Sequence, residues 1–470
     1  MNSTSSWTKR STRLFVKRRN DMKERHSYIP HTPEEIKSML ETIGVPSIEE
    51  LFSDVPKVFD FELALPKGSD EFSVYREMKS LAERNTNLEQ LAVFRGGGIY
   101  HHYIPFVVQA LASRSEFLTA YTPYQAEVSQ GTLQALYEFQ TMIVELTGME
   151  VANSSMYDGA TAVAEAALMA VRTNRKDKII VAKNVHPEYR EVIRTYCSGQ
   201  NIKVEEVNFD KNSGNIDLET LKSKLTDDVS GVIVGYPNFF GVIEDLKIIR
   251  ELLPEKVMFI VVANPIALSL LEAPGKLGAD IVVGEGQPLG NPPNFGGPGF
   301  GFFATLEKYI RKMPGRIIGE TKDTEGRTGY VMVLQTREQH IRRSKATSNI
   351  CSNHAHNAVT AAIYMSVMGK EGLREVAEQS FAKAHSLKER LLKLEGVTEV
   401  FSGPFFHEFV ISFNKDVEFI NSELMKHKIL GPLNLEKWYP EMKSCALFCT
   451  TEAVRNADIE FLLGRLEEIL

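Results

Sequence analysis

The residues best placed by type and spacing to do chemistry lie in a few short segments. Gly284-Glu285-Gly286-Gln287-Pro288-Leu289-Gly290-Asn291-Pro292-Pro293-Asn294-Phe295-Gly296-Gly297-Pro298-Gly299 follows the apolar run Ala279 to Val283. A glycine-rich loop after a strand can cradle a phosphate, but this one has no Walker lysine and no dinucleotide spacing before a helix, so a tight structural loop is the better reading. No lysine lies between Lys276 and Lys308, and no other side chain can form an imine with an aldehyde. Tyr157-Asp158-Gly159-Ala160-Thr161 opens a helix whose free N–H groups suit an anion. Asp158 answers those groups as an N-cap and would repel a dianion. His186 before Pro187 marks a strand-to-helix junction, where a lone histidine is more often a structural hydrogen-bonding group than a catalyst.

Two further segments combine polar aromatics, hydrogen-bonding groups and turn residues: Gly96 to Pro105, and Tyr121 to Gln125. His101, His102, Tyr121, Thr122, Tyr124 and Gln125 are the candidates for an interface or the wall of a substrate channel, with ordinary loop packing as the open alternative. Arg337, Arg342, Arg343 and Lys345, offset by Glu338, form a basic cluster that could bind an anion or face an acidic partner; a solvated or ion-paired face is the commoner use.

The elements that must position these segments read as follows. Thr32-Pro33-Glu34-Glu35 is a capping box ahead of a short amphipathic helix ending at Gly44, and Ser47 to Glu50 repeats the box, so an arm of two short helices precedes the body. From about Gln130 amphipathic helices alternate with the apolar strands Lys178 to Ala182, Val204 to Phe209, Val229 to Gly235, Val257 to Ala263, Asp280 to Val283 and Phe300 to Ala304. Short uninterrupted apolar strands separated by helices imply a mostly parallel sheet covered on both faces. After about Arg337 come two helices, His354 to Met368 and Glu371 to Leu394, then the strands Val397 to Phe401, Glu408 to Phe413 and Ser444 to Cys449, and a closing helix. The expected division is a basic extension at 1–25, taken to be disordered, a helical arm at 26–65, a large α/β domain at 66–338 and a smaller α+β domain at 339–470.

Bulk composition narrows the classes. A chain of 470 residues, 43% hydrophobic, can bury a large core, and a net charge of -7 gives no basic footprint for nucleic acid. The uncharged run Val257 to Leu271 is too short to span a bilayer and is broken by Asn264, Pro265 and Ser269, so no membrane span is expected. Cys197, Cys351, Cys445 and Cys449 are too few and too scattered for a disulfide framework and lack a second ligand pair for zinc; a reducing cytoplasm fits them. The first 25 residues set eight Lys or Arg against Asp21 and Glu24, a balance shared with organelle-targeting peptides, with Met22 as an alternative start.

A large parallel-sheet domain followed by a small α+β domain is the layout of the aspartate-aminotransferase-like enzymes, fold type I of the pyridoxal-phosphate-dependent transferases, although unrelated folds share it. That cofactor is held as a Schiff base, and its lysine would fall in the loop after Ala279 to Val283, where this sequence has none. An enzyme using its own pyridoxal phosphate is therefore disfavoured.

Together the segments resemble subunit 1 of the two-subunit P-protein of the glycine cleavage system, the decarboxylating glycine dehydrogenase. The resemblance runs from about Met22 to the C-terminus. It rests on Gly98 to Pro105 (GIYHHYIP), Tyr121 to Gln140 (YTPYQAEVSQGTLQALYEFQ), Ser155 to Glu165 (SMYDGATAVAE), Gly290 to Gly301 (GNPPNFGGPGFG) and Arg337 to Cys351 (REQHIRRSKATSNIC). It implies a complex, with two of each chain, in which subunit 2 carries the lysine and pyridoxal phosphate, glycine loses carbon dioxide, and the aminomethyl group passes to the lipoyl arm of the H-protein. On this implication the present chain has no catalytic, cofactor or metal residues of its own. Tyr121, Thr122, Tyr124, Gln125, His101 and His102 are then its contribution to the shared site, and a purely structural scaffold is the competing role.

Overall fold

The computed structural model describes Tyr28, Ala64, Pro66 and residues 30–55 and 68–470. The chain divides into two units, Met1–Arg84 and Asn85–Leu470. The basic extension expected at 1–25 lies outside the described residues.

In the first unit, helix α1 (Pro33–Ile43) begins at Thr32 and stops at Gly44, whose φ of 87° suits glycine. The Thr32 hydroxyl accepts the Glu35 N–H at 3.2 Å, and the Glu35 carboxylate accepts the Thr32 N–H at 2.6 Å. The second box, at Ser47, does not form. Only one 3₁₀ turn follows, Glu49–Phe52, headed by Ile48 with no side-chain cap, and Ser47 hydrogen-bonds Glu49 instead. A longer helix, α2 (Glu71–Ala82), is capped by Asp70 on the Ser73 N–H at 3.0 Å.

In the second unit β1 (Ala92–Val93) and α3 (Phe106–Ala112) precede the long helix α4 (Gln130–Thr147). The alternation then runs β2 (Val151–Ala152), α5 (Gly159–Asn174), β3 (Lys178–Ala182), α6 (Pro187–Ser198) and β4 (Lys203–Val207). It continues through α7 (Leu218–Lys224), β5 (Val229–Tyr236), α8 (Leu246–Leu252), β6 (Met258–Ala263), β7 (Ile281–Glu285) and β8 (Gly301–Thr305). These strands form one sheet in the order β2-β8-β7-β6-β5-β3-β4. The five from β7 to β4 are mutually parallel, while β8 runs antiparallel to both of its neighbours, β7 and β2. Every residue of β5 is buried, which is why its run is apolar without alternation. Helix α5 presents Ala162, Ala166, Ala167 and Ala170, small enough to lie close on the sheet; an added Cβ at Gly231 would meet that of Ala170 at 3.1 Å.

A hairpin, β9 (Ile317–Lys322) with β10 (Thr328–Val333), leads to α9 (Ala355–Leu391). Gly369, at φ 59° and ψ −174°, breaks α9 into the two helices that the sequence implies. Beyond it come β11 (Val397–Glu399), β12 (Glu408–Phe413), α10 (Val417–Lys426), β13 (Ile429–Leu430), β14 (Leu433–Asn434), β15 (Cys445–Cys449) and α11 (Asn456–Ile469). Strands β11-β12-β15-β14 make an antiparallel sheet, and β13 pairs in parallel with β1. Phe239 and Phe240, just past β5, pack with Phe401 and Tyr439, so an aromatic seam fixes β12 over the ends of the parallel strands.

Among the described residues no helix is long and apolar enough to cross a membrane.

Candidate functional site

Parallel α/β sheets collect ligands beyond the carboxyl ends of their strands, because loops and helix N-termini converge there. Here a cavity of about 70 Å³ occupies that position. His186 follows β3, Asn238 follows β5, Asn264 follows β6, and Glu285 ends β7; His407 and Glu408 enter from β12, and Tyr100 from the segment Gly96 to Pro105.

Most of these polar groups are committed, His407 Nδ1 being buried without a partner. Glu285 Oε2 accepts the Gly159 N–H at 2.9 Å, and its Oε1 accepts those of Gln287 and Phe300 at 3.0 Å each. Asp158 accepts the Thr161 N–H at 2.7 Å, so two carboxylates answer the mouth of α5. Glu408 accepts the Gly97 N–H at 2.7 Å and the Tyr100 hydroxyl at 2.8 Å. Burial pushes both Glu285 and Glu408 up to about 7, against the lowering by these hydrogen bonds. The Asn264 carbonyl accepts the N–H groups of Ile266 and Ala267 at 2.9 and 3.2 Å, which turns its NH₂ toward His407 Nε2 at 3.3 Å. Burial holds His407 well below the usual imidazole range, so it stays neutral.

His186 Nδ1 accepts the Glu188 N–H at 3.2 Å, so the ring proton sits on Nε2 and is donated to the Gly97 carbonyl at 2.8 Å. Gly98, at φ 108°, passes so close that an added Cβ would lie 2.9 Å from that imidazole. Gln287 fastens the glycine-rich loop to the same segment: it accepts the Tyr100 N–H at 2.9 Å and donates to the Tyr100 and Asn291 carbonyls at 3.0 and 2.7 Å. No lysine lines the cavity.

The sequence candidates separate into two groups. His102 is 5% exposed and shares a 2.6 Å hydrogen bond with Glu452, whose other oxygen accepts the Tyr103 N–H at 2.7 Å. The half-buried His101 has its carbonyl held by the Thr451 hydroxyl at 2.6 Å. Tyr121, Thr122 and Tyr124 belong together elsewhere. Tyr121 is 75% exposed, with its hydroxyl 2.7 Å from that of Ser352. The Thr122 and Tyr124 hydroxyls accept from Arg316 at 3.0 and 3.1 Å. Gln125 is exposed at the end of this segment.

Arg316 is the residue that sequence reasoning missed. It is 3% exposed, its guanidinium lies 5.4 Å from the centre of the Tyr124 ring, and Glu338 balances it at 3.4 Å. Its only sequence signal is a single arginine after Met313-Pro314-Gly315, nearly two hundred residues from Tyr124. The basic cluster needs a correction. Arg337 is buried, donating to the carbonyls of Met313, Gly315 and Leu334, because a 3₁₀ turn tucks it beneath the chain; Arg342, Arg343 and Lys345 remain exposed. Among the described residues no group of His, Cys, Asp or Glu could hold a metal.

A mostly parallel sheet with a small antiparallel domain over its strand ends defines the fold of the pyridoxal-phosphate-dependent transferases. Sphingosine-1-phosphate lyase from Burkholderia pseudomallei shares it at a TM-score of 0.65, with 14% identity over 89% of this chain and 93% of that one. The chain belongs to the glycine cleavage system P-protein family, whose model matches residues 26–466. A crystal structure of glycine decarboxylase, the P-protein of the glycine cleavage system, in inhibitor-bound form superposes at a TM-score of 0.87, with 43% identity over 95% of this chain and 100% of that one. Similar relatives carry the name probable glycine dehydrogenase (decarboxylating) subunit 1. That of Thermotoga maritima is 55% identical over 442 residues (94% of this chain, 100% of the relative), and that of Geobacillus thermodenitrificans is 50% identical over 444 (94% and 98%). The chain is thus a subunit of the glycine-decarboxylating P-protein, and the subunit 1 name implies a partner subunit.

Proposed function

We propose that this chain carries no pyridoxal phosphate of its own and acts with a second subunit that supplies the lysine, the cofactor and the covalent steps. The observation that carries this reading is the mouth of α5. Asp158 and Glu285 already answer its N–H groups, so a phosphate dianion there would lose its donors and meet two carboxyl groups. The imine has no lysine, and the cavity lining offers no Asp or Arg of the kind that commonly meets the pyridinium nitrogen. The cofactor does not fit these residues.

On the partner subunit, pyridoxal phosphate would supply the electron sink for loss of carbon dioxide from glycine, and the lipoyl arm of the H-protein would take the aminomethyl group. This chain's share is to shape the site or the lipoyl channel across the interface. Tyr121, Thr122, Tyr124 and Gln125 form a surface edge that Arg316 braces from within, while His101 and His102 tie the second segment to Thr451 and Glu452. The proposed assembly has two of each chain and works in the cytoplasm, and the chain divides into an arm at 26–65 and domains at 66–338 and 339–470.

The test is co-expression with subunit 2, followed by sizing and a glycine–bicarbonate exchange assay on the separate and mixed chains. Activity in the mixture alone is expected, with no borohydride-fixed cofactor on this chain. Cofactor fixed to this chain would overturn the proposal.

A further inference from the structure

A separate cavity, of about 360 Å³, lies between α5 and the loop Gln339 to Asn349. At about 30 Å³ per water it has room for roughly a dozen waters, far more than a packing defect. Its floor is the face of α5 that carries Glu165 and, two turns on, Arg172.

Arg172 is the unexplained group. Its Nε and Nη2 are buried without a hydrogen-bond partner, and its nearest acid, Glu165, stands off at 3.7 Å, beyond hydrogen-bonding distance. Glu165 spends its other oxygen on the Ser348 hydroxyl at 2.7 Å. Buried guanidinium donors left unmet are costly, and no residue lining the cavity at the strand ends uses them.

The roof supplies a second guanidinium. Arg343 lines the same cavity, is exposed, and takes no side-chain partner among the described residues. Its backbone sits at φ 54° and ψ −125°, a region that non-glycine residues rarely adopt and that is held where the surroundings demand it. Thr347 and Asn349 add a hydroxyl and an amide to the wall.

We infer that this cavity is a binding site for a tetrahedral oxyanion, the phosphate of a small molecule or free phosphate, clasped between Arg172 and Arg343. Guanidinium forks match the geometry of such an oxyanion and make charge-assisted hydrogen bonds to it. Glu165 does not forbid it. The carboxyl shares the floor with Arg172, its Oε1 accepting the Ser348 hydroxyl and its Oε2 standing unpartnered 3.7 Å from Arg172, and burial raises it above the ordinary carboxylate range, which favours its neutral form. The site is independent of whether this chain carries a cofactor.

The experiment is titration of the full-length chain with inorganic phosphate in a chloride buffer, read by calorimetry and by ³¹P line broadening, with acetate as the parallel arm. Saturable phosphate uptake is expected, weakened about tenfold or more by Arg172→Met and by Arg343→Ala. Glu165→Gln should tighten it, which a merely structural role for the cavity would not produce. Arg343 lies on an exposed loop, so its variant tests the site even if Arg172→Met fails to fold. Sources separate by competition: a phosphate monoester that displaces phosphate and binds more tightly marks a small-molecule ligand, and inorganic phosphate binding best marks the free ion. Absence of saturable uptake, equal binding of acetate, or unchanged affinity in the Arg343 variant would overturn the inference.

Discussion

The carboxylate of Glu285, the last residue of β7, accepts the N–H of Gly159, the first residue of α5, at 2.9 Å. A strand end and a helix start are thereby joined through a charge placed where the fold ordinarily invites a foreign anion. An added Cβ at Gly159 would lie 2.5 Å from the Tyr189 hydroxyl and 2.9 Å from the Glu285 nitrogen, so the approach is closed sterically as well.

The raised carboxyls set a pH dependence. Glu285 and Glu408 move from 4.5 up to about 7, so the folded chain holds more protons than the unfolded one between those values. Stability from these groups therefore falls as pH rises through about 4.5 to 7 and is lost in full above that window. The shifts correspond to roughly 3 kcal/mol per group. The buried histidines, lowered on folding, act in the opposite sense, so the check is by difference: in urea denaturation Glu408→Gln should lose less stability between pH 5.5 and pH 8 than the unmodified chain. An unchanged slope in that variant would remove Glu408 as a cause.

The two carboxyls differ in what an amide can replace. Glu408 meets one N–H and one hydroxyl, and the Tyr100 hydroxyl can turn to accept from a glutamine. Glu285 meets three N–H groups, so an amide nitrogen must face a donor. Glu285→Gln should thus destabilise by about 1–3 kcal/mol, while Glu408→Gln costs less. Thermal unfolding of both variants at pH 8 makes the comparison, and equal losses would refute it.

The parallel core was legible because its strands are continuous apolar runs, and the Asp158 cap because an acid before Gly159 sits at a helix start. The division of α9 was legible in Gly369. The second arm helix was not, since Ser47 bonds locally to Glu49 and leaves the turn uncapped. Arg316 was out of reach for another reason. Its partners Thr122, Tyr124, Glu338 and Asn353 come from distant parts of the chain, and no local spacing encodes their meeting. Arg337 shows the reverse error, a charge counted with its neighbours in sequence that the backbone turns inward.

Arg316 should matter through geometry. Arg316→Met frees Thr122 and Tyr124 and leaves Glu338 buried with the His340 ring at 3.6 Å and the Arg337 charge in its surroundings, so a loss of about 3 kcal/mol is expected, the low end for a broken buried pair. The double variant with Glu338→Gln should recover part of that stability. Glycine–bicarbonate exchange by the assembled complex should stay low in both variants, because the loop remains unbraced. Full recovery of exchange in the double variant would show that Arg316 acts on stability alone.

Tyr121 and Tyr124 test the proposed contribution to the partner's site. Tyr124→Phe removes the acceptor for Arg316 Nη2, and Tyr121→Phe the contact with Ser352. The double variant should lower glycine-dependent turnover of the complex about tenfold or more, by analogy with the loss of one positioned hydrogen-bonding group. Sizing should show assembly intact. Unchanged kinetics would leave the scaffold role, whereas loss of assembly before loss of kinetics would favour it.

His102 and Glu452 make the opposite pH prediction to Glu285. Burial acts to raise Glu452, but the neighbouring His102 and the Tyr103 N–H outweigh it and hold the carboxyl below its usual 4.5. A carboxylate lowered on folding adds stability that is present above its unfolded value and lost as pH falls through the folded one. Replacing His102 with Phe leaves Glu452 buried without that partner and should cost about 1–3 kcal/mol at pH 7. At pH 4 the cost should shrink, because the carboxyl then takes up a proton. Denaturation of His102→Phe against the unmodified chain at both pH values decides it: an equal deficit at pH 4 and pH 7 would mean that the ring contributes packing, by its stacking 6.2 Å from His407, and not the hydrogen bond to Glu452.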